Sequence, residues 1–303
     1  MDEVFDTSGA IDKPALKALS ERSDRRGLVR LAGHLAAILG SGTLLAGAWG
    51  SAWLLPALVL HGVVLAFLFA PLHETIHLTA FRSRALNRAV AFFCGLVLFL
   101  PSQYFRDFHF AHHRQTQNLG GDPELTRAKP ETLGEYVLAL SGLPYWNEQA
   151  QVFARLAAGR VEEPFIPERR HKTVVREVRV LICLYAVIVL ASFDLGSTAV
   201  FDYWLLPLAL GQPALRAFLM AEHTGCPLVP DMLRNSRTTK SNPLLRWLVW
   251  NMNYHAEHHA YPALPFHALP KAHRLIRDKI AERASGYLAV HWGLVRRLIG
   301  DPV

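Results

Sequence analysis

Cysteine is scarce in this chain of 303 residues, and its three cysteines, Cys94, Cys183 and Cys226, lie far apart. They form no CxxC pair, which excludes a disulfide framework and a metal site built on paired thiolates. The sequence also lacks a cysteine pattern for an iron–sulfur cluster and a dinucleotide-binding fingerprint. A metal bound by this chain must therefore be held by histidine or carboxylate side chains, and electrons for any redox reaction must come from a separate protein.

Charged residues are also few, at 19% of the chain, whereas 51% of the residues are hydrophobic and the mean hydropathy is +0.17. A composition this apolar predicts an integral membrane protein. The net charge of +7 comes from basic residues that fall between apolar runs. Orientation in the bilayer accounts for that distribution, so we expect no nucleic-acid partner.

Four apolar runs are long enough to cross a bilayer, which takes about 20 residues per helix. They are Leu28 to Gly47, Ala52 to Ala70, Val180 to Ser197 and Tyr203 to Ala221. A fifth run, Ala89 to Phe105, is marginal in length and contains Pro101, so we expect it to dip into the membrane and return, or to lie along the surface. Residues 1–27 are polar and are predicted to form a cytoplasmic tail ahead of a single membrane domain, residues 28–303.

Lysine and arginine are distributed unevenly among the connections. The two short turns that follow the first and third runs contain neither residue, whereas the other connections are basic. The positive-inside rule therefore places both termini and all long loops in the cytoplasm. In a bacterium, the membrane would be the inner (cytoplasmic) one.

Histidine is the residue that carries chemistry here, with fifteen copies in the chain. Eight of them fall in three short motifs: "HETIH" with His73 and His77, "HFAHH" with His109, His112 and His113, and "NYHAEHH" with His255, His258 and His259. On a helix, residues three and four apart share one face, so each motif brings its imidazoles together. So many clustered imidazoles would be costly to bury without a metal, and the motifs therefore predict a metal centre. The isolated His34 and His61 we interpret as structural.

The motif "HETIH" alone also matches the HExxH helix of zinc peptidases, in which Glu74 would be the general base. A zinc peptidase uses three protein ligands and one open position, whereas the three motifs together supply enough imidazoles for two metal ions. The motifs meet on the cytoplasmic side if the fifth apolar run does not cross the membrane. Ligation by nitrogen alone favours iron, with zinc and copper as alternatives. Glu74 would then orient a histidine or be exposed.

Five motifs between Pro71 and His273 resemble those of the membrane fatty acid desaturase family. They are "HETIH", "HFAHHRQTQNLGGDPEL", "AEHTGCP", "NSRTT" and "WNMNYHAEHHAYPALPFHALPKAH". The resemblance implies an all-α integral membrane fold, with four transmembrane helices, a re-entrant or surface helical segment and a cytoplasmic helical cap that carries a histidine cage. It further implies a non-haem di-iron centre, with O2 as co-substrate.

Carried onto this sequence, the resemblance makes the eight clustered histidines iron ligands and adds His223, in "AEHTG", as a ninth. An asparagine that approaches the metal through water in the acyl-CoA branch of the family is replaced here by Leu219. Water would fill that place, or a neighbour such as Asn253 would substitute. This departure makes an acyl-CoA substrate less expected.

The function implied by the resemblance is an oxygen-dependent desaturase that introduces a double bond into an acyl-lipid or acyl-thioester. A hydroxylase or ketolase acting on a lipid, a terpenoid or a small acyl-like substrate has the same fold and stays open, and a membrane zinc metallopeptidase using "HETIH" is a remote alternative. The expected partners are the bilayer, a lipid or acyl substrate, and a ferredoxin-like or similar electron donor that docks on the cytoplasmic face.

Other side chains near the motifs have weaker indications. Carboxylates close in sequence to the histidines are expected to orient some of them, because metal-bound imidazoles usually donate their second N–H. These carboxylates are Asp107, Asp122, Glu124, Glu222 and Glu257. Arg216, inside an apolar run, is either functional or extends to the interface. The aromatic residues Tyr104, Trp250 and Tyr254 either line a substrate tunnel or pack and anchor the helices.

Overall fold

The computed structural model describes residues 9–126 and 129–300, and helices make up most of this part of the chain. The described residues contain one short sheet, in which β1 (Thr238–Thr239) runs parallel to β2 (Arg283–Ala284). The mainly helical class predicted from the sequence is therefore confirmed.

The described residues form helices of very different lengths. In order, the α-helices are α1 (Lys13–Leu19), α2 (Asp24–Ala48), α3 (Leu54–Ala66), α4 (Phe69–Ile76), α5 (Arg84–Leu98), α6 (Ser102–Gln115), α7 (Leu133–Ser141), α8 (Leu143–Ala157), α9 (Glu168–Asp194), α10 (Leu206–His223), α11 (Met232–Asn235), α12 (Pro243–Leu248), α13 (His255–Ala260), α14 (Leu269–Ile276) and α15 (Tyr287–Leu298). Short 3-10 turns lie at Pro123–Thr126 and Arg277–Lys279, and a π-helical turn at Phe201–Leu205 leads into α10.

Three helices of the described chain are long and apolar enough to cross a membrane. They are α2, the nearly continuous pair of α3 and α4 over Leu54–Ile76, and the segment Phe201–His223 that contains α10. A fourth would be α5 together with α6, but these two helices are bent by 99° at the break between them. Phe99 ends α5 in the left-handed conformation and Pro101 precedes α6, so the chain turns sharply within the fifth apolar run.

The third predicted run, Val180 to Ser197, does not form a helix that meets these criteria. Residues 180–194 of the run lie in α9, whose N-terminal half is charged up to Arg179 and which ends at Asp194. The uncharged part of the helix is therefore shorter than the roughly 20 residues that a crossing takes. By length and composition alone, the described residues contain three spans rather than the predicted four, unless the bent pair of α5 and α6 is counted as one.

The central helices α3 and α10 pack without space for side chains at two glycines. A Cβ on Gly62 would lie 1.8 Å from the carbonyl oxygen of Pro207, and a Cβ on Gly211 would lie 2.0 Å from the carbonyl oxygen of Gly62. Small residues let helix backbones approach closely inside a membrane, where dispersion and weak polar contacts drive association. Along the chain, α4 with His73 follows α3, and α10 ends at His223.

Polar side chains fix where several helices begin. The Ser23 hydroxyl accepts a hydrogen bond from the Arg26 N–H at the start of α2, and Ser83 does the same for Leu86 at the start of α5. Thr132 begins α7 with a reciprocal capping box. Such caps satisfy N–H groups that have no partner within the helix.

Part of the predicted N-terminal tail packs against the helical core. Ile11 is buried, its N–H donates to the Tyr261 hydroxyl at 2.8 Å, and α1 follows directly. The first membrane helix begins at Asp24, four residues before the predicted apolar run.

Candidate metal centre

All nine predicted ligand histidines are buried and lie in two adjacent groups. The first group, called here the five-histidine group, contains His73, His77, His109, His113 and His258. The second, the four-histidine group, contains His112, His223, His255 and His259. Within each group, one nitrogen atom from every histidine lies within 4.8 Å of the others, as ligands of a single ion must.

Four separate elements supply these side chains. His73 and His77 stand at the end of α4, and the "HFAHH" histidines lie on the last turns of α6. His223 is the last residue of α10, and the "NYHAEHH" histidines lie on the single short helix α13. Helix spacing therefore sets which imidazoles of one motif share a face.

The nitrogen atoms that face each other are very close. In the five-histidine group, the Nε2 atom of His113 lies 2.9 Å from His109 Nε2 and 3.1 Å from His258 Nε2. In the four-histidine group, the Nε2 atom of His223 lies 2.8 Å from His255 Nε2 and 3.2 Å from His112 Nε2. Two lone pairs that face each other at such distances need a proton or a metal ion between them.

Burial keeps the α13 imidazoles in the neutral form that binds metals. Removal from water lowers the pKa of His255, His258 and His259 well below the ordinary value, and the neighbouring imidazoles lower it further. A neutral imidazole offers a lone pair to a metal without first losing a proton. The donor set of the two groups fits two metal ions held by nitrogen.

The four-histidine group is held from outside by polar contacts to its Nδ1 atoms. His112 Nδ1 donates to the Asp122 carboxylate at 2.9 Å, and His223 Nδ1 donates to the carbonyl oxygen of Asn235 at 3.1 Å. His259 Nδ1 lies 3.2 Å from the Thr116 hydroxyl. His255 Nδ1 lies 3.1 Å from the Glu222 carboxylate but forms no hydrogen bond among the described residues. Contacts of this kind fix the ring orientation and the tautomer of a metal ligand.

The five-histidine group has fewer such contacts. The Nδ1 atoms of His73, His113 and His258 are buried and have no hydrogen-bond partner among the described residues. Phenylalanine rings pack against this group instead. Phe69 stacks on His73 at 6.0 Å and Phe105 stacks on His109 at 5.4 Å between ring centroids. The two groups therefore differ in how their side chains are oriented.

The candidate carboxylates have different roles. Asp122 accepts a hydrogen bond from His112, Glu222 lies 3.1 Å from His255 Nδ1, and Glu124 lies 3.7 Å from His112 Nδ1. Asp107 instead pairs with Arg170 at 2.7 Å. Glu257 accepts hydrogen bonds from Thr238 and His273, which hold α13 against β1 and α14.

Glu74 is neither exposed nor bonded to a histidine. It is fully buried, and its Oε1 atom accepts a hydrogen bond from the Phe266 N–H at 2.9 Å. This contact ties the segment after α13 to α4. The expectation that Glu74 orients a histidine or is exposed is therefore wrong.

Several other candidates lie outside the two groups. His34 and His61 bond to carbonyl oxygens of Val64 and Tyr203, each at 3.0 Å, as expected for structural histidines. Trp250 is fully buried in the core and packs against Phe266. Asn253 donates to the Thr239 carbonyl oxygen at 3.1 Å, and its buried Oδ1 atom has no hydrogen-bond partner among the described residues.

Sequence reasoning missed Thr116, Gln117 and the Asn235 carbonyl group. The Gln117 side chain donates to the His223 carbonyl oxygen at 2.8 Å, and its backbone N–H donates to Asp122 at 2.8 Å. Both segments were visible as the motifs "HRQTQ" and "NSRTT", but their sequences do not show which histidine each one contacts. That information depends on long-range packing.

The substitution Asp122→Asn is expected to weaken metal binding about 10- to 100-fold, because it removes the charge that orients His112. Metal content per chain after a timed chelator challenge, measured by mass spectrometry of the elements, checks this. Asp107→Asn is the matched control, since Asp107 is a buried carboxylate bonded to Arg170 and not to an imidazole. Equal metal loss in both variants would contradict the role given to Asp122.

Comparison with known proteins adds an independent finding. The family model described as "Fatty acid desaturase" matches residues 47–291. The sphingolipid delta(4)-desaturase/C4-monooxygenase of Homo sapiens is 30% identical over 296 residues, covering 94% of this chain and 83% of that protein. The sn-1 oleoyl-lipid 12-desaturase of a Picosynechococcus species is 26% identical over 268 residues, covering 82% and 76%.

Proposed function

The chain belongs to the fatty acid desaturase family, and on that basis we propose that it is an oxygen-dependent di-iron desaturase of membranes. It would introduce a double bond into an alkyl chain of an acyl-lipid or acyl-thioester. The observation that carries the proposal is the pair of buried histidine groups, nine imidazoles that face two adjacent points.

The nine histidines suit two iron ions. The five-histidine group would hold one ion, and the four-histidine group the other. Both offer only nitrogen atoms, which iron accepts, and no thiolate that would favour zinc or a cluster. When bound, the two irons would supply the activation of O2 and the removal of hydrogen from an unactivated carbon, which no side chain can do.

The protein's own residues would orient the ligands, position the chain and exclude water. The Asp122, Thr116 and Asn235 contacts fix three rings of the four-histidine group. Desaturation removes two hydrogen atoms from adjacent carbons, and O2 is reduced to two waters with two protons and two electrons. The electrons would come from a separate, ferredoxin-like donor protein that docks on the cytoplasmic face.

We further propose that α9 crosses the membrane, which gives four transmembrane helices and places both termini in the cytoplasm. Two contacts tie its first half to α6, which bears the histidines: Arg170 to Asp107, and Glu177 to the Ser102 hydroxyl. A few residues after the other end of α9, Phe201 begins the next membrane helix. Phe201 is at the end of that helix far from the histidines. Because α9 connects these two levels, it would traverse the same thickness as α10. The membrane domain would be residues 28–303 with a cytoplasmic helical cap, in the inner membrane of a bacterium.

Hydroxylation is the second candidate, because the human relative is named both a desaturase and a C4-monooxygenase. The same site would then return one oxygen atom to the carbon as a hydroxyl group. The peptidase alternative is disfavoured, since Glu74 bonds to the Phe266 backbone, and "HETIH" contributes only two of nine clustered histidines.

Mass spectrometry of lipids from cells that express the intact chain tests the proposal. New double bonds that require O2 and that disappear in the His258→Ala variant are expected. Hydroxylated lipids in their place would establish the second candidate. Identical lipid profiles with the wild-type chain and the variant, both present in the membrane and the wild-type chain with its metals, would contradict both.

A further inference from the structure

A cleft of about 360 Å³ lies where α6 ends, next to the chain that follows α10. Residues 114–119 line one part of it, and residues 228–230 together with Met232 line the other. Both stretches come shortly after ligand histidines, since His113 directly precedes the first and α10 ends at His223, five residues before the second. The cleft therefore lies beyond the end of a membrane helix, on the proposed cytoplasmic side of the metal centre.

Two residues that line this cleft also contact histidines of the four-histidine group. Thr116 is buried, and its hydroxyl lies 3.2 Å from His259 Nδ1. Gln117 is also buried, and its side-chain amide donates a hydrogen bond to the His223 carbonyl oxygen at 2.8 Å. A molecule in the cleft is therefore separated from each of these two histidines by a single residue.

The outward face of α6 continues from the cleft toward the five-histidine group. Arg106, Phe110 and Arg114 are spaced four residues apart and so share one face of this helix. The Arg106 guanidinium lies 4.8 Å from the centre of the Phe110 ring, and that ring lies 5.1 Å from the His77 ring between centroids. Because Arg114 also lines the cleft, the row and the cleft form one surface that touches both histidine groups from outside. The outer residues of this surface, called here the α6 surface, are Arg106, Phe110, Arg114, Leu119 and Leu228.

Two large apolar side chains are exposed on the α6 surface. Leu119 is 76% exposed and Leu228 is 54% exposed, and both line the cleft. They come from separate segments of the chain, so the fold brings them together. Exposed apolar residues with a polar rim are typical of protein–protein contacts. The two leucines therefore suit the apolar centre of a contact with another protein.

The charge on the α6 surface is positive. Arg114 is exposed, the Arg106 side chain is 36% exposed, and none of the residues that line the cleft is acidic. Asp231 and Arg234 beside the cleft add one charge of each sign. The buried Asp107 lies close to both Arg106 and an arginine of α9, and a single carboxylate leaves this trio positive. A partner that docks here therefore carries acidic side chains, because basic ones would be repelled.

We propose that an acidic electron-carrier protein docks on the α6 surface and that electrons enter the metal centre there. The inference rests on the proposed function and assigns a place to the donor that this function requires. The place is indicated by depth, since Thr116, Gln117 and Phe110 each separate the outside from a ligand histidine by one residue. Electron-transfer contacts are typically small and weak, which fits two leucines and a few charges. Each reduced carrier gives up one electron and leaves oxidised, so two dockings supply the two electrons that the proposed reduction of O2 consumes.

Binding of a plant-type 2Fe–2S ferredoxin, which is acidic, to the purified full-length protein in phosphatidylcholine nanodiscs tests this assignment. Arg114→Glu is expected to weaken binding about tenfold at low salt and less at high salt, because salt screens exposed charges. Leu119→Ser is expected to weaken binding about threefold at both salt concentrations. Arg160→Glu is the matched control, since it makes the same change of charge at an exposed arginine just after α8. Cytochrome c, a basic carrier, is expected not to bind.

The rate at which the iron-loaded protein oxidises reduced ferredoxin without O2 is expected to follow the same order of variants. Unchanged thermal unfolding temperatures show that the variants are folded. Wild-type affinity in Arg114→Glu or in Leu119→Ser would overturn the inference. Equal weakening in Arg160→Glu would overturn it too, as would the absence of ferredoxin binding by the wild-type protein at low salt.

Lipid products formed with ferredoxin, its reductase and NADPH separate this inference from the proposed function. Equal lipid oxidation by the wild-type protein and Arg114→Glu at limiting ferredoxin overturns the docking site while the proposed function stands. Absence of any oxidised lipid, with ferredoxin binding that depends on Arg114, counts against the proposed function and supports the docking site.

Discussion

Replacing His113 with alanine is expected to remove metal from the five-histidine group and to lower lipid oxidation by more than about 100-fold. His113 Nε2 lies close to the Nε2 atoms of both His109 and His258, so the loss affects the middle of the group. Changes to residues that merely orient a ligand cost about 10- to 100-fold, and loss of the ligand itself is expected to cost more. The His113 ring also stacks on His259 at 4.2 Å, so the neighbouring group is expected to weaken as well.

Metal content of the purified variant and oxidised lipid in expressing cells are the two measurements. His171→Gln is the matched control, because His171 bonds to the Ile166 carbonyl oxygen and belongs to neither group. A zinc peptidase that used only "HETIH" would keep its metal and its activity in His113→Ala. That result would favour the peptidase alternative.

The second large effect is expected from Gly211→Val, which should prevent the close contact between α3 and α10. A Cβ at position 211 would meet the backbone of Gly62 at 2.0 Å, and a backbone atom cannot move aside as a flexible side chain can. Overpacking of a core typically costs about 1–3 kcal/mol, and a clash with backbone is expected to exceed that range. Because His73 lies on α4, directly after α3, and His223 ends α10, the variant should also disturb the arrangement of His73 and His223.

The yield of monodisperse protein and its thermal unfolding temperature measure this effect. Gly40→Val is the matched control, because Gly40 lies on the apolar helix α2 and a Cβ there meets nothing within 4 Å. Normal folding and full metal content in Gly211→Val would show that α3 and α10 do not pack as described.

The sequence identified the clustered histidines because their signal is local. Histidines three and four apart on one helix share a face, and that spacing alone identifies the three motifs. His223 was different, since it is an isolated histidine at the end of an apolar run, and only the resemblance to the desaturase family pointed to it. The structure places it in the four-histidine group.

The contacts around the ligands could not be predicted in the same way. Asn235 and His223 are twelve residues apart, and Thr116 and His259 are 143 apart, so both contacts depend on how distant segments pack. Glu257 shows the converse, because it adjoins His258 in sequence yet bonds to Thr238 and His273. Proximity in sequence therefore identifies candidate orienting residues without showing which of them contact a ligand.

The membrane helices show a similar limit. Hydropathy located α2, α3 and α10, whose apolar character is continuous along the chain. The run in α9 was extended past Asp194 in the prediction, whereas the helix ends at that residue. Helix ends depend on local backbone geometry that a hydropathy window does not register.

The central claim is that two irons occupy the two histidine groups, and the metal content of the purified intact chain tests it most directly. Elemental mass spectrometry is expected to give about two irons per chain and little zinc, because the nine imidazoles form two separate nitrogen donor sets. One zinc per chain with no iron would contradict the account.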